Sequence, residues 1–401
     1  MMKKTIWMGI VALMACACGC DNAYEKMPEG TEPSTGGEVV PPPATNPAEE
    51  WAALADSCTN VLVTNFLDKT TGTFWSTPND IERSTQYIYW QQAHALDVLL
   101  AAAGRSESRK ETYLAYARKW VENYANNYNR DHRGEGTYGG FFNVWTDDMA
   151  WICLTLIHLS EVSGDAQYAG IAKEVFDRYI WPRRKSYSGG MALPWTSRDE
   201  DVANFNACTN APSCLVAAKL HPLYKDGGYL EIAKTLYQAC ADHMPDEERA
   251  EEPPLTYTQG TLGEACRQLY HLTGEKKYMD KAGKVLKYAF VSNRCNDSAT
   301  GVLRHEGTSM DQSIFKAVLI PYAVNYVLDE KADAITAQVI REKLLLCAKT
   351  LNKHLDRSQY PRMYCDYFWG TTFAGGNASM GAQTSGASLM EGVARMLENT
   401  L

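Results

Sequence analysis

The sequence predicts an all-α fold, a closed (α/α)6 barrel of six helical hairpins. Two observations carry this. Twelve stretches repeat apolar residues at helical spacing, and no stretch shows a sustained strand alternation. A Tyr-x-x-x-Ala pair also recurs, at Tyr113 and Ala117, Tyr168 and Ala172, Tyr229 and Ala233, and Tyr278 and Ala282. The intervals of 55, 61 and 49 residues each match one helical hairpin. Tyr and Ala one turn apart share a face and can pack on a neighbouring helix. Six such hairpins suggest a toroid; an open superhelix of hairpins is the alternative reading.

In chain order, residues 1–20 read as a secretory signal region. Lys3 and Lys4 precede an apolar run, Ile6 to Ala15, that is too short to span a bilayer. It ends in Leu13-Met14-Ala15-Cys16-Ala17-Cys18-Gly19-Cys20, with a small residue before each cysteine. That is similar to the lipobox of a bacterial lipoprotein. Cys16 is the best match for lipidation, with Cys18 and Cys20 as alternatives. Residues 21–47, with Pro28, Pro33, Pro41, Pro42, Pro43 and Pro47 and few large apolar side chains, read as a flexible tether. The expectation is a protein held in the cell envelope by a lipid anchor alone, in the outer membrane of a Gram-negative bacterium.

Residues 48–401 then form one catalytic-size domain, long enough to bury a large core. Without Lys3 and Lys4 the formal charge moves from −9 to about −11, which argues against nucleic acid as a partner. The nine cysteines beyond the leader are odd in number and irregularly spaced, so they read as buried thiols and not as a disulfide framework. The helices fall near 49–66, 86–103, 109–129, 146–162, 166–181, 208–220, 228–243, 258–272, 276–291, 311–327, 334–354 and 382–398. Even-numbered helices form the inner ring. The loops before them carry Phe74-Trp75, Gly139 to Trp145, Gly189 to Trp195, and Tyr364 to Trp369. Indole and phenol faces suit the apolar patches of sugar rings. Trp51 and Trp120, on outer helices, read as core filler.

The stretch Gly139 to Trp151 turns from an aromatic, glycine-rich loop into a helix at Asp147-Asp148. Aspartates at a helix start are most often caps. Two partly buried neighbouring carboxyls, however, cannot both ionise freely, and a glycosidase needs one ionised and one protonated carboxyl. Four further polar clusters open inner helices: Trp90 to Asp97, Asn206 to Pro212, Tyr257 to Thr261, and Asp311 to Lys316. Capping accounts for Asn206 and Asp311, but not for the concentration of hydroxyl-binding side chains. Gly134-x-Gly136-x-x-Gly139 follows a helix and not a strand, so it lacks the context of a dinucleotide site. No His-Glu-x-x-His, zinc-spaced cysteine pair or Gly-x-Ser-x-Gly elbow occurs, so neither a metal nor a cofactor is expected.

In this order, Gly-Gly before Trp-x-Asp-Asp-x-Ala-Trp, then Asn-Ala-x-x-Asn-x-Pro, Tyr-x-Gln-Gly-Thr and Asp-Gln-x-x-Phe-Lys resemble glycoside hydrolase family 76. The similarity runs from about Trp51 to Leu397. The resemblance implies an (α/α)6 barrel, retaining endo-acting cleavage of α-1,6-mannosidic bonds, Asp147 as nucleophile and Asp148 as general acid/base. It implies α-mannan polysaccharide or oligosaccharide as the partner. The substrate-binding residues expected are Trp90, Trp145, Trp195, Asn206, Asn210, Tyr257, Gln259, Asp311, Gln312 and Lys316. The family also includes transglycosidases. One departure is that Met191-Ala192-Leu193-Pro194 separate Gly189-Gly190 from Trp195, where family members often place an aromatic pair at once. Rival readings are a non-catalytic glycan-binding lipoprotein and another (α/α)6 carbohydrate-active enzyme, such as an unsaturated glucuronyl hydrolase or a sugar epimerase.

Overall fold

A computed structural model describes residues 46–78, 89–124, 139–198, 204–244 and 246–399. The signal region, Cys16, Cys18 and Cys20, and the tether up to residue 45 lie outside the described residues. Pro47, assigned to the tether from sequence, is the first residue of helix α1 (Pro47–Asn65). Its missing N–H costs nothing at that position, and Asn46 caps the helix by accepting from the Ala48 amide at 3.1 Å.

Eleven more α-helices follow: α2 Tyr89–Arg105, α3 Glu107–Lys119, α4 Thr146–Ser163, α5 Ala166–Val175, α6 Ala207–Leu223, α7 Tyr229–Asp242, α8 Thr256–Thr273, α9 Lys276–Val291, α10 Met310–Val327, α11 Ala334–His354 and α12 Met380–Glu398. α3 and α5 each widen into a π-helical turn, Trp120–Tyr124 and Phe176–Ile180. The even-numbered helices pack each on the next, and α12 packs back on α2, so the inner ring is closed. Odd-numbered helices surround it. The recurrent Tyr and Ala are the contact residues of four outer helices. Tyr113, Tyr168, Tyr229 and Tyr278 are buried, and Ala117, Ala172, Ala233 and Ala282 are fully so.

The closing seam carries a buried ion network. Arg105 of α2 reaches Asp56 of α1 at 2.6 Å and Glu391 of α12 at 2.8 Å, and Thr59 donates to the same glutamate at 2.6 Å. Removing one partner of such a network costs about 3–5 kcal/mol, because a desolvated charge is left behind. Elsewhere backbone contact sets the fit. A Cβ at Gly260 of α8 would lie 2.7 Å from the Leu319 Cα of α10.

Two features escape the sequence reading. A short antiparallel hairpin, β1 Lys185–Tyr187 and β2 Gly190–Ala192, sits before α6. Three-residue strands are too short to show alternation. An Asp-x-x-x-Gly turn also recurs after outer helices, at Asp68 and Gly72, Asp297 and Gly301, and Asp366 and Gly370. Each turn is closed by an antiparallel bridge, Leu67 with Phe74, Asn296 with Leu303, and Cys365 with Thr372. Gly72 is obligatory: its φ is +78°, and a Cβ would meet the Tyr116 carbonyl at 2.4 Å. Among the described residues no helix is long and apolar enough to cross a membrane.

Candidate active site

The site follows from helix geometry. The second residues of α2, α4, α6, α8 and α10 are Trp90, Asp147, Cys208, Tyr257 and Asp311, and all five line one cavity of about 810 Å³. One turn further along, Trp151 and Phe315 join the same surface. Their rings make its floor. Trp90 and Phe315 stack with centroids 6.1 Å apart, Tyr257 lies 4.4 Å from Phe315, and Trp151 lies 6.1 Å from Tyr257. A side wall comes from loops, where Trp145 and Trp195 have centroids 4.4 Å apart. The Arg198 guanidinium lies 4.8 Å over the Trp145 ring at the mouth.

Neither aspartate of the pair is the N-cap of α4. That position is Trp145, which makes no side-chain capping bond. Asp147 accepts from the Trp195 indole N–H at 3.2 Å and from the Asp148 amide at 3.1 Å. Asp148 accepts from the Asn143 side-chain amide at 2.8 Å. The loop behind them is clamped by Arg183, which donates to the Asn143 carbonyl at 2.6 Å and the Val144 carbonyl at 3.0 Å. Tyr89 adds a bond to the Phe141 carbonyl at 2.6 Å. Asp311 faces the pair across the cavity, holding the Trp90 indole at 3.1 Å and the Gln91 amide.

Burial pushes Asp147 from the ordinary 3.8 up to about 7, opposed by the amide donors and the Trp195 indole and helped by the charge of Asp311. Asp148 is pushed well above the carboxylate range, by burial first and then by the charges of Asp147 and Asp311; the Asn143 amide pulls it back. The donor sets therefore split the pair. Asp147 is the better stabilised anion, and Asp148 keeps the proton.

The family model of glycosyl hydrolase family 76 matches residues 50–399. The chain belongs to glycosyl hydrolase family 76. No curated protein matches it. Among solved structures, an α-1,6-mannanase of Salegentibacter sp. HEL1_6 is similar at 24% identity with a TM-score of 0.74, over 86% of this chain and 99% of that one. An inactive variant of that mannanase, with two adjacent aspartates replaced, is in complex with α-1,6-mannotetrose; it matches at 23% identity with a TM-score of 0.73, over 86% of this chain and 99% of that one. A family 76 mannosidase from Bacteroides thetaiotaomicron is similar at 16% identity with a TM-score of 0.67, over 87% of this chain and 98% of that one. At these identities the likeness establishes the fold.

In this family 76 glycoside hydrolase, eight of the residues expected at the site line the cavity: Asp147, Asp148, Trp90, Trp145, Trp195, Asn206, Tyr257 and Asp311. Trp195 reaches it despite the four intervening residues, because Gly190–Ala192 forms β2 and Trp145 bridges to Thr196. Four expected residues do not line it. Asn210 is buried and binds both the Leu193 amide, at 2.9 Å, and the Leu193 carbonyl, at 3.0 Å. Gln259 is buried and accepts from the Ala250 amide at 3.0 Å. Both are the fourth residues of their helices, as are Gln92 and Gln383, which clamp Phe74 and Cys365 in the same way. The fourth residue lies about 200° round the helix from the second, so it faces the preceding loop and not the cavity. Gln312 is exposed beside Ser309, whose hydroxyl it accepts at 3.0 Å. Lys316 is buried under the ring, donating to the Tyr367 carbonyl at 2.7 Å with its ammonium 4.1 Å from the Trp369 ring centre; burial lowers it to about 8. Phe74 and Trp369 are core and not cleft.

The sequence reading missed Asn143, Trp151, Arg198, Asn204, Cys208 and Phe315 as cavity residues. Trp151 and Phe315 had a signal, since each lies four residues after a cavity aspartate.

Proposed function

We propose that the chain is a retaining, endo-acting hydrolase of α-1,6-mannosidic bonds in α-mannan, working through a covalent glycosyl-enzyme. The observation that carries the mechanism is the unequal bonding of the aspartate pair. Asp147, held by the Trp195 indole and the Asp148 amide, is the nucleophile. Its carboxylate attacks the anomeric carbon as the glycosidic C–O bond breaks. Asp148 gives its proton to the departing oxygen, then takes one from water as that water attacks the same carbon and expels Asp147. Retaining enzymes hold their carboxyls about 5–5.5 Å apart, a span that successive side chains in a first helical turn can reach.

The aromatic floor and the Trp145–Trp195 wall favour neutral sugar rings, stacked face-on. The complex of the Salegentibacter variant with α-1,6-mannotetrose supports an α-1,6-linked mannose chain as the ligand. Product analysis on unbranched α-1,6-mannan beside branched mannan tests this. Internal cleavage with a first-formed α-anomer is expected; a β-anomer refutes the retaining mechanism, and no cleavage of either polymer refutes the substrate.

The leader supports lipid anchoring in the cell envelope. Replacing Cys16, Cys18 and Cys20 together should release an active protein from membranes, and unchanged membrane association would sink that part of the reading.

A further inference from the structure

Behind the cavity wall, three side chains form a directed chain of hydrogen bonds. Glu251, in the loop before α8, places its carboxyl against the N-terminus of α6. One oxygen accepts the Ala207 amide at 2.9 Å and the other meets the Cys208 thiol at 2.6 Å. A backbone N–H can only donate, so the first oxygen accepts. Burial raises the Glu251 carboxyl, but the Cys208 thiol and the Ala207 and Cys208 amides pull it back towards the ionised form that the positive helix end also favours, and in that form the second oxygen accepts as well. The single proton of Cys208 is therefore committed to Glu251. Its sulfur also lies 2.8 Å from the Tyr257 hydroxyl. With no second proton on sulfur, Tyr257 must supply the one between them. The phenol oxygen then presents only lone pairs to the cavity that it lines with Asp147 and Asp148.

We propose that Glu251, acting through Cys208, fixes the Tyr257 hydroxyl as an acceptor towards substrate, so that Tyr257 selects a glycoside hydroxyl that donates. Resting on the mannanase reading, this makes Glu251 and Cys208 positioning residues for substrate binding.

Kinetics on α-1,6-mannooligosaccharides, with thermal unfolding beside them, test the proposal. Cys208→Ala frees the phenol to rotate and should raise KM about ten-fold, the worth of one hydrogen bond, with kcat within about two-fold and unfolding unchanged. Cys208→Ser keeps one donor and one acceptor in place and should restore KM. Wild-type KM in the alanine variant, equal defects in both variants, or parallel loss of kcat and thermal stability would each overturn it. An infrared readout needs no substrate. The S–H stretching band that disappears in Cys208→Ser should lie below those of the other thiols and move up in Glu251→Gln. A band unmoved by Glu251→Gln overturns the chain's polarity. Wild-type inactivity on the oligosaccharides would instead refute the mannanase reading, leaving the infrared result to decide the proposal.

Discussion

Replacing Asp147 by asparagine should stabilise the fold while abolishing turnover. In the folded chain this carboxyl ionises at about 7 against an ordinary 3.8. Because the folded value is raised, the native state binds more protons than the unfolded chain between those pH values. Stability contributed by the group is thus full below 3.8, falls as pH rises through 7, and is flat above. At about 1.4 kcal/mol per pH unit, the ionised group costs the native state about 4 kcal/mol at alkaline pH. The side-chain amide of the Asp147→Asn variant does not titrate. The variant's stability relative to wild type should therefore rise by roughly 2–3 kcal/mol between pH 5 and pH 8. Loss of one good hydrogen bond at Trp195 or the Asp148 amide offsets the absolute gain by about 1 kcal/mol but leaves the pH dependence intact. Asp148, relieved of its neighbour's charge, adds in the same direction. Urea denaturation of both proteins at the two pH values measures the double difference. A difference that stays constant with pH, or that shrinks towards pH 8, would refute the assignment of a buried, proton-sharing pair.

Three other outcomes follow from the same geometry. Asp148→Ala should still form the glycosyl-enzyme from an activated aryl α-mannoside, and azide should restore turnover as the α-mannosyl azide, whereas azide in Asp147→Ala should give the β-azide after one inversion; opposite anomers, read by NMR, would exchange the two roles. Trp195→Phe keeps an aromatic ring beside Trp145 but removes the indole donor to Asp147, so kcat should fall about ten-fold with KM little changed, as steady-state kinetics will show. Gln259→Ala should leave KM unchanged but lower stability by about 1–3 kcal/mol in urea denaturation, because the buried Ala250 amide loses its acceptor.

Much of this protein is legible in one dimension. Helical periodicity is a local property, so the twelve α-helices among the described residues can be read from it, and the Tyr-x-x-x-Ala spacing marks four outer helices because each buries the same pair of residues. The aspartate pair stands out for a similar reason: two adjacent acids in an aromatic, glycine-rich setting are electrostatically awkward wherever they fold. Which polar residue of each first turn meets the cavity is not local. Tyr257 and Gln259 are two residues apart in one motif, yet a rotation of about 200° sends one to the cavity and the other to the loop at Ala250. Lys316 carries a charge that reads as a ligand for substrate, but closing the ring buries it against Trp369. Cys208 and Glu251 are 43 positions apart and have no shared pattern. Their contact, and with it the direction of the bond at Tyr257, exists only because the loop before α8 folds back onto the start of α6. Local chemistry names the candidates; helix rotation and ring closure decide which of them share a cavity.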